Sequence, residues 1–383
     1  MCEEEERVSS MPVEGPPAPL SAGFGVELTP DQFEDRFVAL HRQLYASGEF
    51  EFAAVTRHIY RPPAGYYQVD HSLFHDGQQW HLFYCTGQMR NTDAYTACMA
   101  RGDWQGAARN TLEPGIGHAV GVDLADLQFV GLIEPVVQGD FDLITRSNGW
   151  AFCYGGRYGM IYGVRGVAGF VGFSLMWSED LETWQGGAAN PILRAPAWAA
   201  PGATCKDVHV YQYEGQFLLY YITSDLDGYC CIALCTTEDW QTFTDRGPVL
   251  QAPPMLRGTM GMESPTVFFR EGLWHLFFTY GPGLCHAVSR CPDQFVQSRG
   301  NTYNVGTGYY PLGPFHATEV LQDTQGDWWL TTDRKEETRR LNRQAGRLCY
   351  RGSYEDEKTL EEGLYLSRLH WQGDQPILQR PAD

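Results

Sequence analysis

The stretch at residues 66–87, "YYQVDHSLFHDGQQWHLFYCTG", decides the fold because its pattern returns along the chain. Two apolar, aromatic-rich segments flank a turn that contains Gly77, which predicts an antiparallel β-hairpin. An acidic residue, Asp70, stands at the head of the first segment. A carboxylate is an unusual start for a buried strand, and comparison with the other copies of the pattern suggests a role for it.

Further segments repeat the order of a polar residue, an apolar strand, a Gly turn and an aromatic strand. They are "CKDVHVYQYEGQFLLYYITS" (205–224), "MESPTVFFREGLWHLFFTYG" (262–281), "PFHATEVLQDTQGDWWLTTD" (314–333) and a weaker copy, "GDFDLITRSNGWAFCYGG" (139–156). With the first stretch they make five hairpins, spaced about 50 to 75 residues apart. This arrangement predicts a five-bladed β-propeller, in which small antiparallel sheets surround a central axis.

A second element recurs after the hairpins, where an outer strand of each blade should end. It reads "GVDLADLQFVG" (121–131), "SEDLETWQGG" (178–187) and "TTEDWQTFTDRGPVL" (236–250), and we interpret it as a rim turn. The last strand region, residues 363–378, is predicted to complete the final blade together with strands near residues 50–60. Such closure would remove an exposed sheet edge.

Composition agrees with an all-β globular protein. The 383 residues are 43% hydrophobic and 14% aromatic and include 42 Gly, a mixture that favours strands and tight turns. Residues 1–28 are acidic and Pro-rich and are predicted to form a flexible tail. Residues 29–48 are predicted to form a short N-terminal helix packed on the body, with Thr29 as N-cap and Pro30 at the first helical position. The catalytic propeller is predicted over residues 49–383.

Charge and cysteine content restrict the classes of partner. A formal net charge of −19 argues against nucleic acid and anionic membranes, because both require a surplus of Lys and Arg. The acidic start lacks the order of a signal peptide and no apolar run is long enough to span a bilayer, so we expect a cytoplasmic protein. The eleven Cys lack the spacing that is typical of a disulfide framework, and they are interpreted as reduced thiols.

The first residue of each repeat should lie near one mouth of the axial channel. These heads are Asp70, Asp140 or Asp142, Asp207, Glu263 and His316. Crowded carboxylates raise one another's pKa values, so one site can hold a protonated acid beside an ionised base, as glycoside hydrolysis requires. The alternative is structural, because an Asp before a strand often caps a turn and residues that stabilise a blade also recur.

In these repeats the chain resembles the five-bladed propeller glycoside hydrolases of families 43 and 32. "VDHSLF", "CKDVHV" and "MESPTVF" stand where that group carries its Asp, Asp and Glu. The resemblance implies that Asp70 is the base or nucleophile, that Asp207 orients the sugar and tunes the acid, and that Glu263 is the general acid. His316 matches the axial His that family 43 members often use near a bound calcium ion or water. A hydrogen-bonded His316 without metal fits equally, so no metal ligand is assigned and no cofactor is required.

The residues around the acids depart from the family 32 signatures. Val69-Asp70-His71 replaces Asn-Asp-Pro-Asn, Lys206-Asp207-Val208 replaces Arg-Asp-Pro, and Glu263-Ser264-Pro265 replaces the Glu-Cys-Pro type. Titratable and aromatic side chains near the heads are candidates for substrate binding, because sugars combine hydrogen bonds with stacking on rings. These candidates are Tyr67, His71, Lys206, His209, Tyr310 and His316, whereas Trp150 is interpreted mainly as a packing residue.

The sequence therefore predicts a glycosidase that cleaves a small glycoside or oligosaccharide by paired-carboxylate chemistry at the propeller axis. Its partner would be a small carbohydrate or a glycosylated metabolite. Two alternatives stay open: a propeller enzyme of metabolite biosynthesis that performs transglycosylation, cyclisation or elimination, and a non-catalytic carbohydrate-binding propeller. The sugar, the anomer, the linkage and the stereochemical outcome are not predicted.

Overall fold

The computed structural model describes residues 55–66, 68–87, 92–110, 113–187, 189–251, 262–280, 283–297, 315–334 and 363–382. Within these ranges the chain is all-β and forms five antiparallel sheets, which confirms the prediction of a five-bladed β-propeller. The predicted tail (1–28) and the predicted N-terminal helix (29–48) lie outside the described residues.

The first four blades follow one another along the chain, and each begins with its innermost strand. Blade 1 contains β2 (Val69–His75), β3 (Trp80–Thr86), β4 (Gly115–Gly121) and β5 (Gln128–Ile133). Blade 2 contains β6 (Thr145–Tyr154), β7 (Arg157–Gly166) and β8 (Gly169–Ser178), with the short β9 (Gln185–Gly186) and β10 (Leu193–Arg194). Blade 3 contains β11 (Lys206–Tyr213), β12 (Gln216–Ser224), β13 (Cys230–Thr237) and β14 (Thr244–Gln251). Blade 4 contains β15 (Met262–Arg270), β16 (Leu273–Tyr280), β17 (Gly283–Cys291) and β18 (Gln294–Gln297).

Blade 5 joins the two ends of the described chain. Its strands are β19 (Glu319–Gln322), β20 (Trp328–Arg334), β21 (Gly363–Gln372), β22 (Gln375–Gln379) and the N-terminal β1 (Arg57–Tyr60). β1 pairs antiparallel with β21, with Arg57 opposite Leu366. The Ser367 hydroxyl also donates a hydrogen bond of 2.7 Å to the carbonyl of Val55. The predicted closure by a strand near residues 50–60 is therefore confirmed.

Apolar clusters fill the gaps between successive blades and form a closed ring of five interfaces. The second strand of a blade packs against the neighbouring blades on both of its faces. Its sequence is therefore a continuous apolar run and does not alternate between apolar and polar residues. All seven residues of β3, "WHLFYCT", are buried for this reason. The nine cysteines among the described residues are all free thiols.

Two short helices stand between β3 and β4, and the sequence did not predict them. They are α1 (Thr92–Ala100) and α2 (Trp104–Arg109). Asp103 caps α2, because its Oδ1 accepts a hydrogen bond of 2.8 Å from the Gly106 amide. No helix in the described part of the chain has the length and apolar character needed to cross a membrane.

Candidate active site

Each innermost strand is distorted at the end that faces the mouth of the axis. One non-Gly residue per blade has a positive φ there: Asp70 (47°), Asn148 (56°), Asp207 (56°), Ser264 (49°) and Ala317 (45°). In the first four blades the strand register shifts at the same place, which is the mark of a β-bulge. All five residues with a positive φ line one pocket, so each of the five blades contributes to a common site.

The bulges correct the predicted head of the second repeat. Asn148, and not Asp140 or Asp142, occupies this position in blade 2, and its Nδ2 donates to Asp207 Oδ1 at 3.2 Å. Asp142 is buried in a turn and accepts a 2.9 Å hydrogen bond from the amide of Gly139. Its role is the structural one that a turn carboxylate commonly plays. The Asn148-Gly149 pair is the sequence signal for the correct position, because Asn tolerates a left-handed backbone.

Glu263 also differs in detail from the prediction, because it precedes the bulge residue of its blade by one position. Lys206 is its counterpart on the neighbouring strand β11. The Lys206 Nζ atom lies 2.7 Å from Glu263 Oε1 and 3.2 Å from Asp207 Oδ2. The Ser264 amide donates to the same oxygen of Asp207 at 3.2 Å. Two of the three predicted catalytic carboxylates therefore share one ammonium group.

His316 continues this network towards Asp70. Its Nε2 lies 3.3 Å from Glu263 Oε2, and its Nδ1 lies 2.8 Å from Asp333 Oδ1. The other oxygen of Asp333 accepts a hydrogen bond of 2.7 Å from the Asp70 amide. Contacts thus run without a break from Lys206 to the backbone of Asp70, and all three predicted acids belong to one site. Asp333 is a member of the site that the sequence analysis missed.

The electrostatic environment separates the pKa values of the two outer carboxyl groups. Burial raises the pKa of Asp70 from 3.8 to about 7, and the charges of Asp207, Asp333 and Glu263 add to the rise, while His316 opposes it. Burial also acts to raise the pKa of Glu263, but the Lys206 ammonium and His316 outweigh it and hold that pKa well below its usual range. Near neutral pH the site therefore offers a carboxyl that is partly protonated and a carboxylate that is ionised.

Lys206 stays charged in spite of its burial. Loss of water favours the neutral amine, but the Asp207 and Glu263 carboxylates outweigh this effect and hold the pKa of Lys206 above its ordinary value. The ammonium is therefore a fixed positive charge among the carboxylates of the mouth. Direct contact with this ammonium distinguishes the carboxylate of Glu263 from that of Asp70.

The predicted binding residues divide into three groups. Lys206 and His316 belong to the carboxylate network. His71 and His209 do not belong to this network. His71 lines the same pocket, its Nε2 contacts Thr331 Oγ1 at 2.6 Å, and burial lowers its pKa to about 4. His209 meets the ring of Trp150 edge to face at 4.3 Å, and burial lowers the pKa of His209 to about 3. Tyr67 and Tyr310 lie outside the described residues.

Three residues at the axis offer donor atoms to a cation. One donor atom from each of Asp70, His316 and Asp333 lies within 4.8 Å of the others. Calcium prefers six to eight oxygen ligands, whereas both ring nitrogens of His316 already face the carboxylates of Asp333 and Glu263. This donor set does not fit a Ca²⁺ ion ligated directly by the protein, so no step of the chemistry proposed for the site uses one.

Comparisons with known proteins agree with this architecture. No protein-family model and no curated protein matches the chain by sequence. Among solved structures, a thermostable family-43 glycoside hydrolase aligns with a TM-score of 0.57 at 14% identity, covering 84% of this chain and 96% of that one. A GH32 β-fructofuranosidase of Bombyx mori aligns with a TM-score of 0.60 at 13% identity over 92% and 70%. An α-L-arabinanase of Cellvibrio cellulosa aligns with a TM-score of 0.55 at 14% identity over 82% and 95%.

These identities are too low to carry an activity from one chain to another. The alignments do extend over most of the propeller in each comparison. The chain therefore has the five-bladed β-propeller fold that the glycoside hydrolases of families 43 and 32 share.

Proposed function

We propose that this protein is a glycoside hydrolase that cleaves a small glycoside or oligosaccharide, with Asp70 and Glu263 as its acid and base pair. The observation that carries the proposal is the separation of their pKa values within one mouth of the propeller axis. Glycoside hydrolysis needs one carboxyl to protonate the departing oxygen and one carboxylate to activate water or attack the anomeric carbon. The structural neighbours support it, since they are hydrolases of this class and one is described in complex with sucrose.

Lys206 favours a particular assignment of the two roles. The resemblance to families 43 and 32 implies that Glu263 is the acid, but Glu263 would then have to hold a proton 2.7 Å from an ammonium group. Asp70 has no such cation against its carboxyl among the described contacts, and burial disfavours its ionised form. We therefore assign the proton to Asp70 and the role of base or nucleophile to Glu263, with Asp207 and Lys206 orienting the sugar.

Hydrolysis rates for substrates with good and poor leaving groups test whether Asp70 and Glu263 act as a pair and which of the two is the acid. A panel of aryl glycosides and oligosaccharides first identifies a sugar that the wild-type protein hydrolyses. Asp70→Asn should lose hydrolysis of substrates with poor leaving groups yet retain most activity on dinitrophenyl glycosides, whose departure needs no acid. Glu263→Gln should lose both. Asp227→Asn, an isosteric change at an exposed turn carboxylate, is the matched control and should behave as wild type.

Two outcomes would count against these assignments. If Glu263→Gln rather than Asp70→Asn keeps the dinitrophenyl activity, the roles are those implied by the resemblance. If both variants hydrolyse every substrate as fast as the Asp227→Asn control, the site is not the hydrolytic centre.

A metabolite-transforming enzyme is the second candidate, and the buried Lys206 is the observation that favours it. A fixed ammonium beside two carboxylates can stabilise an anion that develops in an elimination or cyclisation, as well as orient a sugar. Product analysis separates the candidates. Hydrolysis places a hydroxyl from water on the anomeric carbon, transfer and cyclisation place another oxygen of an acceptor or of the substrate there, and elimination leaves a carbon–carbon double bond without consuming water. Absence of sugar release across a broad panel would favour this alternative.

A further inference from the structure

A second cavity lies on the propeller axis, beyond the pocket that holds the carboxylates. Its volume is about 410 Å³, which is within the range of pockets that hold small molecules. The inner strands of all five blades line it. Cys153, Gln212 and Gln322 at its rim are exposed, whereas His209 and Glu319 deeper inside are buried. The cavity is therefore open to solvent at its rim and ends in buried polar groups.

Trp150 and His209 separate this cavity from the candidate active site. The Trp150 side chain lines both spaces, and its ring meets the His209 imidazole edge to face at 4.3 Å. Neither Asp207 nor any other carboxyl of the network described above lines the second cavity. A ligand in this cavity would therefore contact a set of side chains different from those of the mouth.

The second cavity combines aromatic walls with one buried carboxyl group. Phe152, Tyr211, Phe268 and Trp328 are among the rings that line it. Glu319 is 4% exposed, and its Oε2 accepts a hydrogen bond of 2.7 Å from the Leu73 amide. The described part of the chain offers no hydrogen-bond partner to the other oxygen, Oε1. Burial raises the pKa of Glu319 well above its ordinary value, as expected for a carboxyl that no cation accompanies.

The described residues around the cavity carry no positive charge that would repel a cationic ligand. Among the described residues that line it there is no Lys or Arg, and burial keeps His209 neutral by lowering its pKa to about 3. The whole chain carries a formal charge of −19, which attracts cations and repels anions. Aromatic faces are attracted to organic cations as well, most strongly when the cation is desolvated.

We propose that this cavity is a binding site for a small organic ammonium compound with an aromatic or aliphatic body. The body packs against the rings, and the ammonium group pairs with the second oxygen of Glu319, whose carboxyl releases its proton to solvent as the cation binds. The site does not depend on the reaction at the mouth, so the proposal holds whether or not the protein hydrolyses glycosides.

Three matched probes test this site by isothermal titration calorimetry on the full chain. They are 2-phenylethylammonium, its uncharged counterpart 2-phenylethanol, and ethylammonium, which lacks the ring. The first should bind the wild-type protein at least about tenfold more tightly than either of the others, because only it uses both the carboxyl and the rings. Glu319→Gln keeps an acceptor for the Leu73 amide and should remove the preference for the ammonium over the alcohol.

Asp207→Asn is the control for cations that collect among the carboxylates of the mouth. It should leave the affinity for 2-phenylethylammonium unchanged. The proposal is overturned if the alcohol binds the wild type as tightly as the ammonium, or if no probe binds at millimolar concentration. It is also overturned if Asp207→Asn abolishes binding while Glu319→Gln does not. The comparison of probes on wild-type protein decides the matter even if the Glu319 variant does not fold.

Discussion

Replacing Lys206 by Met removes the ammonium that two carboxylates of the mouth share. Its Nζ lies 2.7 Å from Glu263 and 3.2 Å from Asp207, so at an effective dielectric constant near 20 each attraction is about 5 to 6 kcal/mol before desolvation is counted. Desolvation offsets part of this, and removing one partner of a buried pair typically costs about 3–5 kcal/mol. We expect Lys206→Met to lower the free energy of unfolding by about that amount at pH 8.

The loss should depend on pH in a defined direction. Lys206 holds the pKa of Glu263 below its ordinary range, so this contribution to stability is present above the unfolded-state pKa of a Glu and lost as pH falls through the folded-state value. Without the ammonium, Glu263 takes up a proton at a higher pH and the uncompensated charge disappears. The difference between Lys206→Met and wild type should therefore shrink from pH 8 to pH 5 in urea denaturation.

A double-mutant cycle isolates the pair. Lys206→Met, Glu263→Gln and the combined variant are compared with wild type, and Lys206→Arg serves as the control that preserves the charge. We expect a coupling energy of at least about 2 kcal/mol, because the attraction between Lys206 and Glu263 is lost in each single variant but only once in the combined variant. A coupling below about 0.5 kcal/mol would refute the reasoning, since that is the value of an exposed ion pair.

Three further variants test the electrostatics and the closure of the ring. Asp70→Asn should stabilise the protein at pH 8 by up to about 4 kcal/mol in urea titrations, and the gain should vanish near pH 4, because raising the Asp70 pKa from 3.8 to about 7 destabilises the fold as pH rises. His118→Gln should lessen acid unfolding by about 2 kcal/mol between pH 7 and pH 5, since burial lowers the pKa of His118 from 6.5 to about 4 and stability is lost as pH falls; an unchanged pH dependence would contradict this. Leu364→Ala, at a fully buried position between blades 5 and 1, should cost about 2–5 kcal/mol, whereas Ile377→Ala, 46% exposed, should cost under about 1 kcal/mol.

The fold was largely predictable because each hairpin repeats the same order of an inner strand, a turn and a second strand that is buried on both faces. A strand buried on both faces needs an unbroken apolar run, so "WHLFYCT" (80–86) and "LWHLFFTY" (273–280) are readily identified as second strands of blades. Closure followed from the same reasoning, because the last blade would otherwise expose an edge. The two helices after β3 escaped prediction since they are short, and α2 depends on a single capping carboxylate, Asp103.

The candidate site was predictable only in part. The structure brings together five of the predicted residues: Asp70, Asp207, Glu263, Lys206 and His316. In blade 2 the predicted head was the polar residue before an apolar run, and this criterion does not locate the bulge at Asn148. Asp333 could not be found by comparing the first residues of the repeats, because it lies on β20, the second strand of its hairpin. Its contact with the Asp70 amide joins residues 263 positions apart and exists only once the ring is closed.

The bulges explain how neighbours in sequence can share one site. In a regular strand consecutive side chains point to opposite faces of the sheet, so Lys206 and Asp207 would diverge. The left-handed backbone at Asp207, with a φ of 56°, re-aims the chain, and the two side chains meet at 3.2 Å. A non-Gly residue in this conformation costs on the order of 1 kcal/mol, and the same conformation recurs in all five blades. The same conformation occurs at residues that are not acids, namely Asn148, Ser264 and Ala317. It therefore belongs to the propeller scaffold, and the chemistry depends on which side chains the sequence places beside it.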